Sequence, residues 1–538
     1  MLALANILLA PWALVWLLSY VGNFPSAAYA SCAPYPITVP LGNVSLPNKQ
    51  TARGVKFQVG EPPQLFAFAP QWPLNNTFVY GTSGLCPSNP DPISCTTVRG
   101  GAYDAFASKT RKQADGATYP IDSAPYPQMS YVADSFKLND NVSLNSFPIG
   151  IALNDWGAQG YHPTVAFGLG ANSTLLTALK QTSKILSRSW GLFWGRNGGT
   201  ASSQLDGSIV FGGYDRAKVS GPKYVQALSK SAGCATNLVV TVSDMILNFP
   251  NGTNVSIFPQ SRSTALAACI IPDYPTLLTL PFKPYVENFQ ALTGMNHDLE
   301  RSFGLNYYSI RYAGDLTLQL QSGLSVRVPN DQLVVPHVDI DPSTGAPVVN
   351  STGPDLVINS IQDINANDLP QLGRQFLSAA YLMVNMEADQ FTLWSANPTS
   401  DQDLVAVDKA NQEVTEYCSA GNGDDAPASD PSSTGTTWPS SSPSSTSSSR
   451  TGVITGATVG GIAGVLLIGV VAFWIFRRRE RNKTGPRTSG GESMQSPLPP
   501  YYGEAASPYG SLPQQEPWQQ QYKTELQDTG HQRYELVG

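Results

Sequence analysis

The side chains that most often do chemistry in enzymes are sparse in this sequence. Apart from His531, the histidines are His162, His297 and His337, too far apart for the His-x-x-x-His pair of a helical metal site. No Gly-x-Ser-x-Gly nucleophile elbow occurs, and no glycine-rich loop of the phosphate-binding kind precedes a helix. We therefore expect neither a metal nor a cofactor.

The cysteines are better explained as disulfide partners than as nucleophiles. All six precede residue 419, and an even number is typical of an oxidising compartment. Six cysteines allow about 15 connectivities. The short spacing favours a Cys86–Cys95 bridge, whereas the pairing of the other four stays open: Cys32, Cys234, Cys269 and Cys418.

The composition indicates a large, β-rich, secreted chain. Only 13% of the 538 residues are charged, against about 25% in an ordinary soluble domain, and there are 47 Gly and 43 Pro. The net charge of −7 and the lack of a long basic block in the main body argue against nucleic acid as a partner.

The amino-terminal segment predicts secretion. Residues 1–30 contain a long apolar stretch and end in Ala28-Tyr29-Ala30, a small-x-small cleavage pattern typical of a signal peptide. Because no basic residue precedes Arg53, a first transmembrane helix is the alternative.

A second apolar segment predicts a single membrane span. Residues 451–476 are 26 uncharged residues, long enough to cross a hydrocarbon core of about 30 Å. The basic cluster that starts at Arg477 predicts that the carboxyl-terminal side is cytoplasmic. We expect a type I protein at the plasma membrane, reached by the secretory pathway, with residues 31–418 outside. We do not expect a lipid-anchor signal, because 62 residues follow the apolar segment.

Two low-complexity segments flank the span. Residues 419–450 contain 16 Ser or Thr among 32, which predicts an extended, O-glycosylated stalk. Residues 477–538 predict a disordered cytoplasmic tail. In this tail Pro499, Pro500 and Tyr502 fit the Pro-Pro-x-Tyr ligand of WW domains, so a WW-domain protein is a predicted partner.

An extracellular location predicts glycosylation. The outer part contains seven Asn-x-Ser/Thr acceptors: Asn43, Asn75, Asn141, Asn172, Asn251, Asn254 and Asn350.

The outer part is predicted to be mainly β-structure with few helices. Short alternating or β-branched runs such as Val55–Val59, Leu65–Ala69 and Leu316–Leu320 predict strands. The predicted helices are Ser173–Leu186, Lys283–Leu292 and Arg374–Ala380. Two segments look like degenerate copies of one apolar strand ending in glycine before a helix: Val165–Gly170 and Leu369–Leu377.

At this point the chain resembles the pepsin-like aspartic proteases over most of residues 50–397. The spacing of Cys86 and Cys95 is similar to the first small disulfide loop of that family. The other matching strings are Val59–Gln64, Gly207–Asp215, Leu372–Leu382 and Phe391–Trp394. The resemblance implies an all-β, bilobal fold of two similar barrel-like lobes, at about 50–220 and 221–398, and a membrane-anchored member of the fungal cell-surface type.

The resemblance also implies where catalysis would occur. The family uses one Asp from each lobe, about 3 Å apart, to share a proton and activate a water. Counting from Gly60 puts Gln71 at the first position, and counting back from Thr276 puts Pro272 at the second. Neither can accept a proton near accessible pH. Asp273 is the fallback, although a one-residue slip along a strand turns a side chain to the opposite face.

Three functions follow from this pattern. We expect a pseudoenzyme whose cleft between the lobes binds an extended peptide or protein without cutting it. The alternative is an active aspartic endopeptidase with a shifted dyad of Asp273 and another carboxylate such as Asp155. A third is a structural wall or adhesion glycoprotein whose cleft is filled by Trp72 and its neighbours.

Overall fold

The computed structural model describes residues 32–86, 92–122, 126–155, 164–230, 233–258, 265–295, 305–306, 312–361 and 368–418. The predicted signal peptide, stalk, membrane span and tail, including Pro499, Pro500 and Tyr502, lie outside these ranges. Among the described residues, no helix is both long and apolar enough to cross a membrane.

The described ranges form 27 strands and four α-helices, so the prediction of a mainly β chain with few helices is confirmed. The strands are β1 Ile37–Ser45, β2 Thr51–Val59, β3 Gln64–Gln71, β4 Phe78–Val79, β5 Lys112–Gln113, β6 Met129–Lys137, β7 Ser143–Ala152, β8 Ala166–Gly168, β9 Ser189–Asn197, β10 Gln204–Phe211, β11 Gly213–Asp215, β12 Val219–Ala227, β13 Val239–Asn248, β14 Asn254–Ser256, β15 Leu266–Ile270, β16 Leu278–Pro281, β17 Leu305–Asn306, β18 Asp315–Leu320, β19 Ser325–Val328, β20 Val334–Ile340, β21 Pro347–Leu356, β22 Ile358–Ile361, β23 Gln371–Leu372, β24 Ala380–Asn385, β25 Gln390–Ala396, β26 Leu404–Val407 and β27 Glu413–Val414. The helices are α1 Pro92–Arg99, α2 Thr174–Gln181, α3 Glu287–Thr293 and α4 Asn330–Leu333.

Two large sheets organise the molecule. The first has 13 strands in the order β12-β25-β24-β9-β10-β1-β2-β3-β8-β4-β7-β6-β5. The second has eight strands, with β19-β18-β13-β15-β23-β16-β22 in order and β14 paired to β13. β24 pairs with β9 on one side and with β25 on the other. The first sheet therefore contains strands from both the early and the late part of the described chain.

The core follows from alternation along the strands. In β18 the buried Leu316, Leu318 and Leu320 alternate with more exposed residues, as expected for a strand with one face on a core. The first sheet is covered more fully, and a group of aromatic rings packs 5 to 6 Å apart at its centre, namely Phe57, Phe66, Phe68, Phe136 and Phe167. Rings at this spacing combine a large buried area with favourable edge contacts.

Each large sheet contains two short parallel pairings, β3–β8 and β4–β7 in the first and β15–β23 and β16–β22 in the second, and the first of each two lies beside a turn. In the first sheet β3 runs parallel to β8, and Gln71 pairs with Gly168. In the second, β15 runs parallel to β23, and Ile270 pairs with Leu372. These crossings contain the two glycine-ended segments singled out in the sequence. The first leads into α2, capped by Ser173, whereas the second leads only into a 3₁₀ turn, Phe376–Ser378.

Three disulfides are present, and the predicted Cys86–Cys95 bridge is confirmed. The pairing that the sequence left open is Cys32–Cys418 and Cys234–Cys269. Cys32–Cys418 joins residues 386 positions apart, and the backbones of Ala33 and Cys418 pair beside it. The bridge therefore fastens the start of the described chain to its end.

Gly373 is expected to tolerate no side chain. A Cβ there would lie 2.1 Å from the carbonyl oxygen of Thr276 and 2.4 Å from that of Tyr274, both rigid backbone atoms. We expect Gly373→Ala to lower the free energy of unfolding by about 1–3 kcal/mol through overpacking, measured by urea denaturation. Gly81→Ala is the control, since its nearest contact would be an ordinary 3.9 Å. Equal effects for the two variants would contradict this account.

Candidate functional site

The first turn begins where β3 ends. Ala69, Pro70 and Gln71 pair in parallel with β8, and the amide of Leu169 donates to the carbonyl of Gln71 at 2.8 Å. These contacts fix the backbone at Gln71, whose residue is only 2% exposed. The turn that follows is closed by the amide of Gly170, which donates to the carbonyl of Leu74 at 2.7 Å.

The second turn follows β15. Ile271–Tyr274 closes through a backbone hydrogen bond of 3.0 Å from the amide of Tyr274 to the carbonyl of Ile271. Pro272 and Asp273 are the two central residues of this turn, so the alternation of a strand does not apply to them. Asp273 is 4% exposed and turns its carboxylate toward the first turn.

The two turns meet through Gln71 and Asp273. The Nε2 of Gln71 donates a short hydrogen bond to Oδ2 of Asp273 across 202 residues of sequence. The residue that meets Gln71 is therefore Asp273, the fallback position, one residue after Pro272. The result is one carboxamide and one carboxylate, held in contact in a buried place.

This pair can bind but lacks the chemistry of two carboxylates. A carboxamide donates and accepts hydrogen bonds, but it does not take up a proton near accessible pH. General acid–base catalysis by a proton-sharing pair needs a second titratable group. Here one oxygen of the Asp273 carboxylate accepts a hydrogen bond from a neutral donor.

Asp122, in the described part of the loop between β5 and β6, contacts the first turn. The carboxylate of Asp122 accepts hydrogen bonds from the backbone amides of Asn75 and Asn76, at 2.8 and 3.0 Å, and from the Asn76 side chain at 2.7 Å. Tyr126, from the same loop, is half-buried near the pair. Burial, then the negative charge of Asp273 and then that of Asp122, raises the pKa of Tyr126. Asp122 thus fastens its part of the loop to the first turn.

Two other residues singled out in the sequence have partners away from the Gln71–Asp273 pair. Trp72 is buried and packs against Trp190 with their ring centroids 5.6 Å apart. Asp155 accepts a 2.7 Å hydrogen bond from the buried guanidinium of Arg99. The structure therefore engages Asp155 in an ion pair beside the Cys86–Cys95 loop.

The predicted glycosylation acceptors differ in exposure. Six are exposed, namely Asn43, Asn141, Asn172, Asn251, Asn254 and Asn350. Asn75 is half-buried, and its Oδ1 accepts a hydrogen bond from the amide of Asn172 at 3.0 Å.

Sequence reasoning missed the residues that support this site. Asp122, which fastens the loop, lies in a stretch without periodicity and carries no pattern that separates it from a solvated aspartate. Arg374 was noticed only as part of a matching string and as the start of a predicted helix, although its amide donates to the carbonyl of Tyr274 at 2.9 Å, within the second turn. The one usable signal for Arg374 is its position directly after Gly373.

Comparison with known proteins finds similarity among solved structures alone. No protein-family model matches the chain, and no curated protein matches it. Among solved structures, the aspartic proteinase from Irpex lacteus is similar at 15% sequence identity, covering 68% of this chain and 100% of that chain, with a TM-score of 0.45.

Protonation of Asp134, on β6, is expected to destabilise the fold in acid. Burial alone would raise its pKa, but hydrogen bonds from Thr110, then from Tyr103 and Ser108, outweigh burial, and the pKa of Asp134 is lowered. A carboxylate with a lowered pKa stabilises the fold above its unfolded pKa of about 3.9, and the contribution is lost as the pH falls through the folded pKa.

Asp134→Asn is therefore expected to be less stable than the natural chain at pH 7, with a difference that shrinks steadily below about pH 4. Urea denaturation of both proteins at several pH values measures this. Asp401→Asn, at an exposed position, should leave the pH dependence unchanged. A difference for Asp134→Asn that stays constant down to about pH 2 would contradict the prediction.

Proposed function

We propose that this chain is a cell-surface glycoprotein with a pepsin-like ectodomain that binds peptide segments and does not cleave them. The observation that carries the proposal is the buried contact between the amide of Gln71 and the carboxylate of Asp273. A proton-sharing pair of carboxylates would need an acid at position 71. The residue present supplies a hydrogen-bond donor that stays neutral.

Further contacts argue against the alternative of an active endopeptidase. A shifted dyad would require a second carboxylate beside Asp273, and Asp155, the candidate from the sequence, is bonded to Arg99 at 2.7 Å. Attack on a peptide by an activated water would therefore require a new base beside Asp273.

The position of Trp72 favours binding over a purely structural role. A structural glycoprotein was expected to fill its cleft with Trp72, yet this side chain packs in the core against Trp190. Exposed backbone on the edges of a sheet can hold an extended segment by strand-like hydrogen bonds without any catalytic group.

The rest of the proposal rests on the sequence. The signal peptide 1–30, the stalk 419–450 and the span 451–476 support a type I protein of the plasma membrane, of the kind found on fungal cell surfaces. Pro499, Pro500 and Tyr502 support a cytoplasmic WW-domain partner.

The test is a peptide-cleavage assay with the full-length protein in detergent. A diverse peptide library is incubated from about pH 2.5 to about pH 7, and the products are identified by mass spectrometry. Asp273→Asn and the inhibitor pepstatin serve as controls. We expect no products above those of the Asp273→Asn variant, and peptides retained on the immobilised protein.

Cleavage that pepstatin inhibits and that Asp273→Asn abolishes would overturn the proposal and support the endopeptidase. If the folded protein neither cuts nor retains any peptide, the structural role is supported instead.

Glycan occupancy is expected to follow exposure. The six exposed acceptors should carry glycans in the secreted protein, whereas Asn75 should not, because its carboxamide is packed against Gly170 and bonded to Asn172. The glycans are released enzymatically in heavy-oxygen water, which labels each asparagine that carried one. Mass spectrometry of the peptides then gives the occupancy of each acceptor. Full occupancy of Asn75 would show that the first turn opens, and an absence of all glycans would contradict secretion.

A further inference from the structure

The loop that leads into β5 presents an exposed aromatic ring on a fixed backbone. Phe106 is 94% exposed. Asp104 exchanges two hydrogen bonds with the side chain of Gln64, at 2.7 and 2.9 Å. The carboxylate of Asp104 also accepts the backbone amides of Phe106 and Ala107. A single exposed apolar side chain is ordinary on a protein surface, so the significance of Phe106 depends on its neighbours.

The far end of the same loop is fixed as well. The amide of Lys109 donates to the carbonyl of Glu61 at 2.8 Å, and the hydroxyl of Thr110 donates to the buried carboxylate of Asp134 at 2.5 Å. The backbone on both sides of Phe106 is therefore held by hydrogen bonds to other parts of the first sheet.

Three cations follow Phe106 within a few residues. Lys109, Arg111 and Lys112 are all exposed, and none of them forms an ion pair within the part of the chain that the structure describes. The guanidinium of Arg111 lies 5.8 Å from the ring centroid of Phe106. In a chain with only 13% charged residues and a net charge of −7, this is a local concentration of positive charge.

The nearby carboxylates do not neutralise these cations by direct contact. Asp104 accepts two backbone amides, and Asp115 accepts the amide of Ala117. Glu61, whose backbone contacts Lys109, forms no ion pair with any described residue. An anionic partner could therefore pair with the three cations without breaking an existing ion pair.

β5 itself is an edge strand. Lys112–Gln113 ends the 13-stranded sheet, its described partner is β6, and both residues are exposed. The free side of an edge strand offers backbone N–H and C=O groups to another chain. The opposite edge of this sheet, β12, is protected by Pro222 and by a register shift after Ser220. β5 carries no such protection other than its short length.

We propose that Phe106, Lys109, Arg111 and β5, which we call the basic edge, bind an extended acidic peptide segment of another protein. The backbone of the segment pairs with β5, its carboxylates pair with the cations, and an apolar side chain packs on Phe106. Strand-like pairing favours a peptide over a polysaccharide, because a peptide supplies backbone donors and acceptors at the spacing of a strand.

The residue types and the fixed loop both favour binding. Arginine and aromatic side chains account for much of the binding energy at protein interfaces. Because the loop is held by hydrogen bonds before the partner arrives, less conformational entropy is lost on binding. The segment from Asp104 to Asp115 contains no asparagine, so it carries no glycan of its own. The proposal does not depend on whether the Gln71–Asp273 pair binds peptides.

The test measures fluorescence anisotropy of labelled ligands with the full-length protein in detergent, at about 50 mM salt. The ligands are acetyl-Glu-Leu-Glu-Val-Glu-Leu-amide, the same peptide with Gln at each Glu, the Glu peptide with all backbone amides N-methylated, and heparin. We expect the Glu peptide to bind with a Kd of about 100 μM or tighter. The Gln and N-methylated peptides should bind at least about tenfold more weakly, because each lacks one of the two kinds of contact.

Variants locate the binding on the chain. Arg111→Met should weaken binding of the Glu peptide at least about fivefold, and Arg111→Lys by less, because lysine keeps the charge but loses the planar fork. Phe106→Ser should weaken it at least about threefold. Both side chains are exposed, so these substitutions should spare the fold, which circular dichroism checks. Arg216→Met, which removes an exposed arginine elsewhere, should leave binding unchanged.

Each outcome decides the proposal. Preference for the Glu peptide, weakened by Arg111→Met but not by Arg216→Met, supports it. Equal binding of the Glu and N-methylated peptides overturns the pairing with β5. Heparin binding without peptide binding overturns the proposal and assigns the basic edge to an anionic polysaccharide. Glu-peptide binding that Arg111→Met does not affect also overturns it, yet leaves peptide binding elsewhere on the protein intact.

Discussion

Gln71→Glu is expected to lower the free energy of unfolding by about 3–5 kcal/mol at pH 7, and by much less in acid. The substitution replaces the buried amide donor with a carboxylate of the same shape, directly against Asp273. Two adjacent carboxylates in a buried site cannot both be ionised, so folding at neutral pH must take up a proton.

The direction of the pH dependence follows from that proton. In the variant, one of the two carboxyl groups has a folded pKa raised above its unfolded value of about 4. Stability from a group with a raised pKa is fully present below the unfolded pKa and is lost as the pH rises through the folded pKa. The variant should therefore approach the natural protein near pH 3 to 4 and diverge from it steadily toward pH 7.

Two matched variants isolate the contact between the side chains. Asp273→Asn keeps an acceptor for the amide of Gln71 and removes the charge, so we expect a change below about 1 kcal/mol. The double variant Gln71→Glu/Asp273→Asn exchanges the two groups and restores an amide facing a carboxylate. It should recover most of the loss at pH 7, which a double-mutant cycle by urea denaturation measures. A loss that is independent of pH, or that the second substitution does not relieve, would mean that the two side chains do not meet.

Much of the architecture could be predicted from local patterns. Val55–Val59 lies within β2 because its alternation matches the pleat of a half-buried strand. Leu65–Ala69 lies within β3 as a short, continuous apolar run, which is typical of a strand buried on both faces. Cys86–Cys95 followed from spacing, since a nine-residue separation leaves few other partners within reach. Cys32–Cys418 could not be found this way, because its partners meet only through the packing of the whole chain.

The errors have a common physical cause, which is that tertiary contacts override local preference. The predicted helix Arg374–Ala380 is wrong: the segment forms a 3₁₀ turn, and Ala380 already begins β24, which pairs with both β9 and β25. At the second turn, the objection that Asp273 would face away from the first turn assumed the two-residue period of a strand. Ile271–Tyr274 is instead a closed turn, and a turn can aim Asp273 at Gln71 without the bulge that strand geometry would need.

The second large effect is expected at Arg99. This residue is 2% exposed and makes three strong contacts: its Nε donates to the carbonyl of Gly84 at 2.8 Å, and its Nη2 donates to the carbonyl of Leu85 and to Asp155, each at 2.7 Å. Its guanidinium also lies 4.1 Å from the ring centroid of Tyr80. One side chain thus holds the segment before the Cys86–Cys95 bridge and neutralises Asp155.

Arg99→Met should lower the free energy of unfolding by about 3–5 kcal/mol, because it leaves a partly buried carboxylate without its cation and two carbonyl groups without their donor. Urea denaturation at pH 7 measures the loss. Arg216→Met is the control, since its ion pair with Asp403 has a similar length, 2.8 Å, but about half of each side chain is exposed, and such pairs contribute at most about 1 kcal/mol.

The double variant Arg99→Met/Asp155→Asn separates the two causes of that loss. Removing the charge of Asp155 should recover the part due to an uncompensated carboxylate, and the remainder measures the hydrogen bonds to Gly84 and Leu85. If Arg99→Met instead costs no more than Arg216→Met, Asp155 is not held by Arg99 and could reach other partners. The endopeptidase alternative, which needs Asp155 beside Asp273, would then regain its main support.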